Sequence, residues 1–144
     1  MLSKRVALCC KFALLWLSLM PLTTIAEEGV TLKDVMQGLN TNMQDATYGI
    51  IMEDYDLIEK SAQAIADHPT PDPAILKKIV AHLGAEMPKF KGFDIQVHDT
   101  ALEMKKAAMA QDKDALLSHH NQIMRGCVGC HQNYRESVTS LLKE

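Results

Sequence analysis

The stretch LKDVMQGLNTNMQDATYGI, residues 32–50, decides the fold. Leu32, Val35, Met36, Leu39, Met43, Ala46 and Ile50 recur every three or four residues, the period of one helical face and not of a strand. Thr31, followed three residues later by Asp34, supplies a capping signal just before the pattern begins. The spacing predicts a helix from about residue 32 to about residue 50 that turns one apolar stripe toward a core.

The same period continues outward. Tyr55, Ile58, Ala62, Ile65 and Ala66 form a second run, which stops at His68-Pro69-Thr70-Pro71-Asp72-Pro73. Three alternating prolines cannot continue a helix, so a stiff connection is expected there. Ala74 to Leu83 reads as a short helix ended by Gly84, and Met87 to Phe93, with Pro88 and Gly92, reads as irregular. A further helix is expected over about residues 94–110, with Val97, Ala101, Leu102, Met104 and Ala108 on its apolar side, and a last one from near Asp112. Strand-type alternation is missing, and Ala, Leu, Met, Lys, Glu and Gln favour helix. Four principal helices joined mostly by short links predict an all-α, antiparallel four-helix bundle.

The chain has 144 residues, which fits one domain. Its first 26 residues read as a secretory signal: Lys4 and Arg5 form a charged start, Val6 to Leu19 are mostly apolar, and Thr24-Ile25-Ala26 ends in a small-residue cleavage pattern. Lys11 and Pro21 argue against an uncleaved anchor, since a spanning helix needs about 20 largely apolar residues. Cys9 and Cys10 lie too early for a lipidated N-terminus. The bundle domain is then residues 27–144. The full chain carries a net charge of −3; loss of Lys4, Arg5 and Lys11 with no acidic residue takes the mature chain to about −6. Such a surface argues against nucleic acid or an anionic membrane and permits steering toward a basic partner.

The mature chain keeps two cysteines, in Cys127-Val128-Gly129-Cys130-His131. In an oxidising compartment two such thiols form a disulfide, bind metal or are consumed by a covalent cofactor. C-x-x-C-H is the pattern of c-type haem attachment: the thiols add across two vinyl groups and the adjacent imidazole supplies an axial iron ligand. On a helix, Cys127 and His131 share a face and Cys130 lies at its edge. A redox dithiol would instead sit near a βαβ pattern at a helix start. Zinc would need a fourth donor, which His119 or His120 could supply only if the helix broke.

Extended to Cys-Val-Gly-Cys-His-Gln-Asn-Tyr-Arg near the end of an exported helical chain, the motif resembles that of the class II c-type cytochromes, the cytochrome c′ family. The resemblance covers about residues 30–138, with only the haem motif highly specific. It implies one haem c on the last helix, residence in the bacterial periplasm, frequent homodimers, and either electron transfer with redox partner proteins or binding of nitric oxide and carbon monoxide. Val35-Met36-Gln37-Gly38-Leu39 is similar to the first helix of the low-spin branch, which implies Met36 as the distal iron ligand opposite His131. Two readings remain beside it: Met43 as the ligand, or both methionines as core filler with an open distal face. His/Met ligation raises the potential and suits electron transfer, whereas an iron held by His131 alone suits diatomic gases. The resemblance also places Arg135, four residues beyond His131, in the haem environment; a solvated arginine is the alternative. Arg125 is a weaker partner for a propionate.

Tyr134 reads as packing, and Phe90 and Phe93 as sealing an end of the bundle or touching the haem edge. The remaining histidines read as exposed or half-buried. No paired carboxylates, activated nucleophile or metal-protease motif is present, so no enzyme is expected.

Overall fold

A computed structural model describes residues 29–143, which are all-helical with no strand among them. The signal segment expected over residues 1–26 lies outside the described residues. α1 spans Leu32–Met52, α2 Tyr55–Ala66, α3 Pro73–Leu83, α4 Met87–Met109 and α5 Lys113–Leu141, with a 3-10 turn at Gly84–Glu86. No helix among the described residues is long and apolar enough to cross a membrane.

The starts of α1, α2, α3 and α5 follow from their capping side chains, whereas α4 has no side-chain cap. Thr31 accepts from the Asp34 amide at 3.1 Å, while the Asp34 carboxylate accepts from the Thr31 amide at 3.0 Å, so two otherwise orphaned donors are satisfied. Asp54, Asp72 and Asp112 cap α2, α3 and α5 in the simpler one-way form. The α1–α2 reversal passes through Glu53 at φ 56° and depends on Gly49, where a Cβ would lie 2.7 Å from the Ile58 side chain.

Residues 87–93 are helical and not irregular: α4 begins at Met87. Pro88 falls in the first turn, where its missing N–H would have had no partner in any case. Gly92 faces open space, so it lowers helix propensity without obstructing the helix. Phe90 and Phe93 hold this turn down by meeting Tyr134 edge-on, with ring centroids 5.3 and 6.2 Å apart.

The four principal helices, α1, α2, α4 and α5, run alternately up and down. Lys105 of α4 donates to Gln63 of α2 at 2.9 Å while His68, just past the end of α2, meets Asp94 at 3.0 Å, so these helices are antiparallel. Gly126 of α5 lies against Val97 of α4 and Gly129 against Phe93, again antiparallel. α1–α2, α2–α4 and α4–α5 pack extensively, whereas α1 and α5 touch sparingly. The bundle is therefore least tightly closed along the α1–α5 seam.

The interior divides in two. One cluster, centred on Ile58, Ile65, Met104, Leu116 and Ile123, fills one end. The other gathers Ile79 of α3, Tyr134 and Val138, with Leu32, Phe90 and Phe93 against them, so α3 caps the far part of α5. Residues 67–72 return to the start of α1, where Asp72 donates to the Val30 carbonyl at 2.8 Å.

Candidate cofactor site

Cys127, Cys130 and His131 lie within α5, four to five turns after it starts, on continuous helix. Cys127 packs against the first core cluster and Cys130 against the second, so the motif sits at the division between them. Both thiols are free and half-buried. Burial pushes the Cys127 thiol above its usual range; burial, then Cys127 and Asp94, does the same for Cys130. Neutral thiols within a helix are the opposite of a redox dithiol, whose attacking cysteine is acidified at a helix start. They remain suited to addition across vinyl groups.

His131 is exposed, one turn beyond Cys127. The side of α5 that it shares is marked by His120, whose Nε2 lies 2.9 Å from Thr47 Oγ1 of α1. Lys113 of α5 and Glu53 at the end of α1, 2.7 Å apart, fix the same antiparallel register independently. Starting from the Thr47–His120 contact, Met36 lies eleven residues back along α1 and His131 eleven residues on along α5. Eleven residues is about three turns, so each keeps nearly the same helical face as its starting point and rises by about 16 Å. The register thus puts Met36 and His131 at one level, on the facing flanks of α1 and α5, which touch sparingly.

Met36 is 39 % exposed, whereas Met43 is 8 % exposed and belongs to the core. Seven residues, about two turns, separate them, so both lie on nearly the same face of α1; Met36 stands nearer the helix start, where that face is left open. Its exposure sets Met36 apart from the buried core, whereas Met43 could reach a metal only by leaving that core. Arg135 and Arg125 are both exposed on α5. Tyr134 packs, as expected: it is 6 % exposed, with its hydroxyl donating to Glu86 at 3.2 Å.

Several contacts were not predicted. Gly126 and Gly129 let α4 approach α5 beside the motif; a Cβ on either would lie 2.8 Å from Val97 or Phe93. Their three-residue spacing on one helical face is the signal that could have marked this contact. The Thr47–His120 bond carried no such signal. Burial lowers the His120 pKa, favouring the neutral ring. His68 is half-buried and paired with Asp94, His82 meets Ser137 at 2.7 Å, and His98 meets Asp99 at 2.9 Å.

Among the described residues no group of three or more His, Cys, Asp and Glu side chains converges to hold a free metal ion. A haem needs no such cluster, because the porphyrin supplies four of the iron's ligands and the protein adds only axial groups. Two thiols at a division of the core, an accessible imidazole one turn on, a thioether across a loosely closed seam and flanking apolar side chains fit that group. No protein family, curated protein or solved structure matches this chain.

Proposed function

We propose that this protein is a periplasmic class II c-type cytochrome of the His/Met kind, which carries single electrons through one haem. Cys127 and Cys130 would hold the haem covalently, with His131 as proximal ligand and Met36 as distal ligand. The observation that carries the reading is the α1–α5 register, which sets Met36 level with His131 across the least-packed seam of the bundle. Bound there, haem supplies reversible one-electron cycling of its iron.

The chain's own residues supply position. Phe93 against Gly129 and Val97 against Gly126 fix α5 on α4, so the motif is anchored to a packed helix pair. Thr47–His120 and Glu53–Lys113 fix α1 on α5 and thereby the relative height of the two axial side chains. A rigid ligand pair changes little between oxidation states, which favours fast electron transfer. An exposed thioether can turn into the seam without emptying a core position.

The test is the absorption spectrum of the dithionite-reduced, haem-loaded mature protein before and after carbon monoxide. Sharp, split low-spin bands unchanged by the gas are expected, and Met36→Ala should give a broad high-spin spectrum that converts on gas addition. A wild-type protein that is high-spin and binds carbon monoxide would overturn the Met36 assignment and favour an open-faced cytochrome c′ that binds nitric oxide or carbon monoxide.

A further inference from the structure

Charge is unevenly placed on this chain. From Pro73 to Phe93, through α3, the 3-10 turn and the first turns of α4, there are four lysines and one acidic residue, whereas the other described residues carry eight basic and fourteen acidic side chains. Lys77, Lys78, Lys89 and Lys91 are all exposed, and none forms an ion pair within the described residues. The one acid, Glu86, accepts from the Tyr134 hydroxyl, and the next carboxylate along the chain, Asp94, is bonded to His68 at 3.0 Å. Four like charges with no internal counter-charge repel one another and contribute nothing to the core, which leaves them free for an outside partner.

This α3–α4 corner is electrically separate from the acidic end of the bundle. Glu53, Asp54 and Asp56 at the α1–α2 turn and Asp112 and Asp114 at the start of α5 stand together, as the Glu53–Lys113 pair shows. The length of α4 holds Lys89 and Lys91 about 30 Å from that end. Ionic screening falls off over about 10 Å at 0.1 M salt, so a partner at the corner meets the lysines and is shielded from the distant carboxylates. The net charge, which taken alone favours a basic partner, is thus reversed locally. Val80, 43 % exposed and one turn from Lys77, adds an apolar contact beside the lysines.

We infer that the α3–α4 corner is the docking surface for an acidic partner protein; that this partner exchanges electrons rests on the function proposed above. The aromatic residues of the corner tie it to the cysteine motif. Phe90 and Phe93, interleaved with Lys89 and Lys91, meet Tyr134 of α5, and Phe93 also lies against Gly129, between the two cysteines. One layer of aromatic side chains therefore separates a partner on the corner from the motif. The acidic end repels the same partner, so encounter in the wrong orientation is disfavoured. Nucleic acid and anionic bilayers match the corner less well, because both phenylalanines are packed onto Tyr134 and leave no ring to stack on bases or enter lipid.

The test follows oxidation of the reduced, haem-loaded mature protein by hexacyanoferrate(III), a small anion, in stopped flow as ionic strength is raised from about 50 to about 500 mM. The rate should fall about threefold or more, although the chain as a whole is acidic. Lys89→Glu with Lys91→Glu should slow the low-salt reaction about fivefold or more and reverse its salt dependence, while Lys60→Glu, exposed on α2, should change it less than about twofold. A second measurement needs no haem: a short peptide of Asp and Glu, titrated into the isotope-labelled mature chain, should shift the amide resonances of residues 77–91 and not those of α1. A rate that rises with salt, a double reversal no larger in effect than Lys60→Glu, or peptide shifts elsewhere overturns the inference. So does a chain that ignores the peptide and binds vesicles of anionic phospholipid, which would assign the corner to a membrane. Peptide binding at the corner of a chain that takes up no covalent haem would uphold the docking surface and overturn only the electron-carrying role.

Discussion

The same chemical change, glycine to alanine in a helix, should move stability in opposite directions at two positions. Gly38 sits within α1 with nothing within 4 Å of an added Cβ. Gly38→Ala therefore gains the helix-propensity difference alone, about 1 kcal/mol. At Gly126 an added Cβ would lie 2.8 Å from Val97 Cγ2. Val97 is 7 % exposed and β-branched, so it cannot turn aside, and α4 and α5 must separate instead. Overpacking of this kind costs about 1–3 kcal/mol. After the propensity gain, Gly126→Ala should be destabilised by about 1 kcal/mol, which separates the two variants by about 2 kcal/mol. Urea unfolding followed by circular dichroism reads this directly, and the melting temperatures should differ by about 8 °C. Val97→Ala in the Gly126→Ala background removes the clashing methyl, so a double-mutant cycle should show about 1 kcal/mol or more of coupling. Equal stabilisation by the two alanines would refute the α4–α5 contact, and with it the setting of the cysteine motif on a closely packed helix pair.

Met43→Ala should cost about 2–5 kcal/mol in unfolding experiments because it empties a core position, while leaving the iron's ligation spectrum unchanged; Met36→Ala should change the spectrum and cost under about 1 kcal/mol in the haem-free chain. Thr47→Val should lose about 1 kcal/mol and, by freeing α1 from α5, raise the fraction of protein in which carbon monoxide displaces the distal ligand. The His68–Asp94 pair has a pH window. Its hydrogen bond to Asp94 raises the His68 pKa, so that contribution is complete below 6.5 and lost as pH rises through the higher folded value; the bond to His68 lowers the Asp94 pKa, so that contribution is complete above 3.8 and lost as pH falls through the lower folded value. The stability difference between wild type and Asp94→Asn should therefore be largest between about pH 4 and 6.5 and shrink on both sides; a difference flat across that range and beyond it would contradict the pairing.

Most of the fold was legible because helical periodicity is local. The stripe from Leu32 to Ile50, the capping box at Thr31 and the proline run after His68 each act within a few residues, and each appears where the sequence places it. Residues 87–93 were misread because Pro88 and Gly92 have two meanings: they break a helix interior but suit a first turn and an exposed face, and only the packing of Phe90 and Phe93 on Tyr134 decides between them. Met36 and Met43 share a face of α1 by their seven-residue spacing, and one helix alone does not show that this face is covered at Met43 and open at Met36. The opposition of Met36 and His131 was expected only as the start of one helix beside the end of another; their common level depends on the Thr47–His120 and Glu53–Lys113 contacts, which join residues far apart in the chain.

Mass spectrometry of the mature protein, produced in a host that ligates haem to exported proteins, tests the central claim most directly. Trypsin cutting after Arg125 and Arg135 releases a peptide from Gly126 to Arg135 that contains both cysteines. That peptide should carry the mass of one haem joined through both Cys127 and Cys130, and Cys127→Ala with Cys130→Ala should abolish the addition while the chain stays helical. Recovery of the peptide with two free thiols, or with an internal disulfide, would contradict the covalent haem and the electron-carrying function built on it.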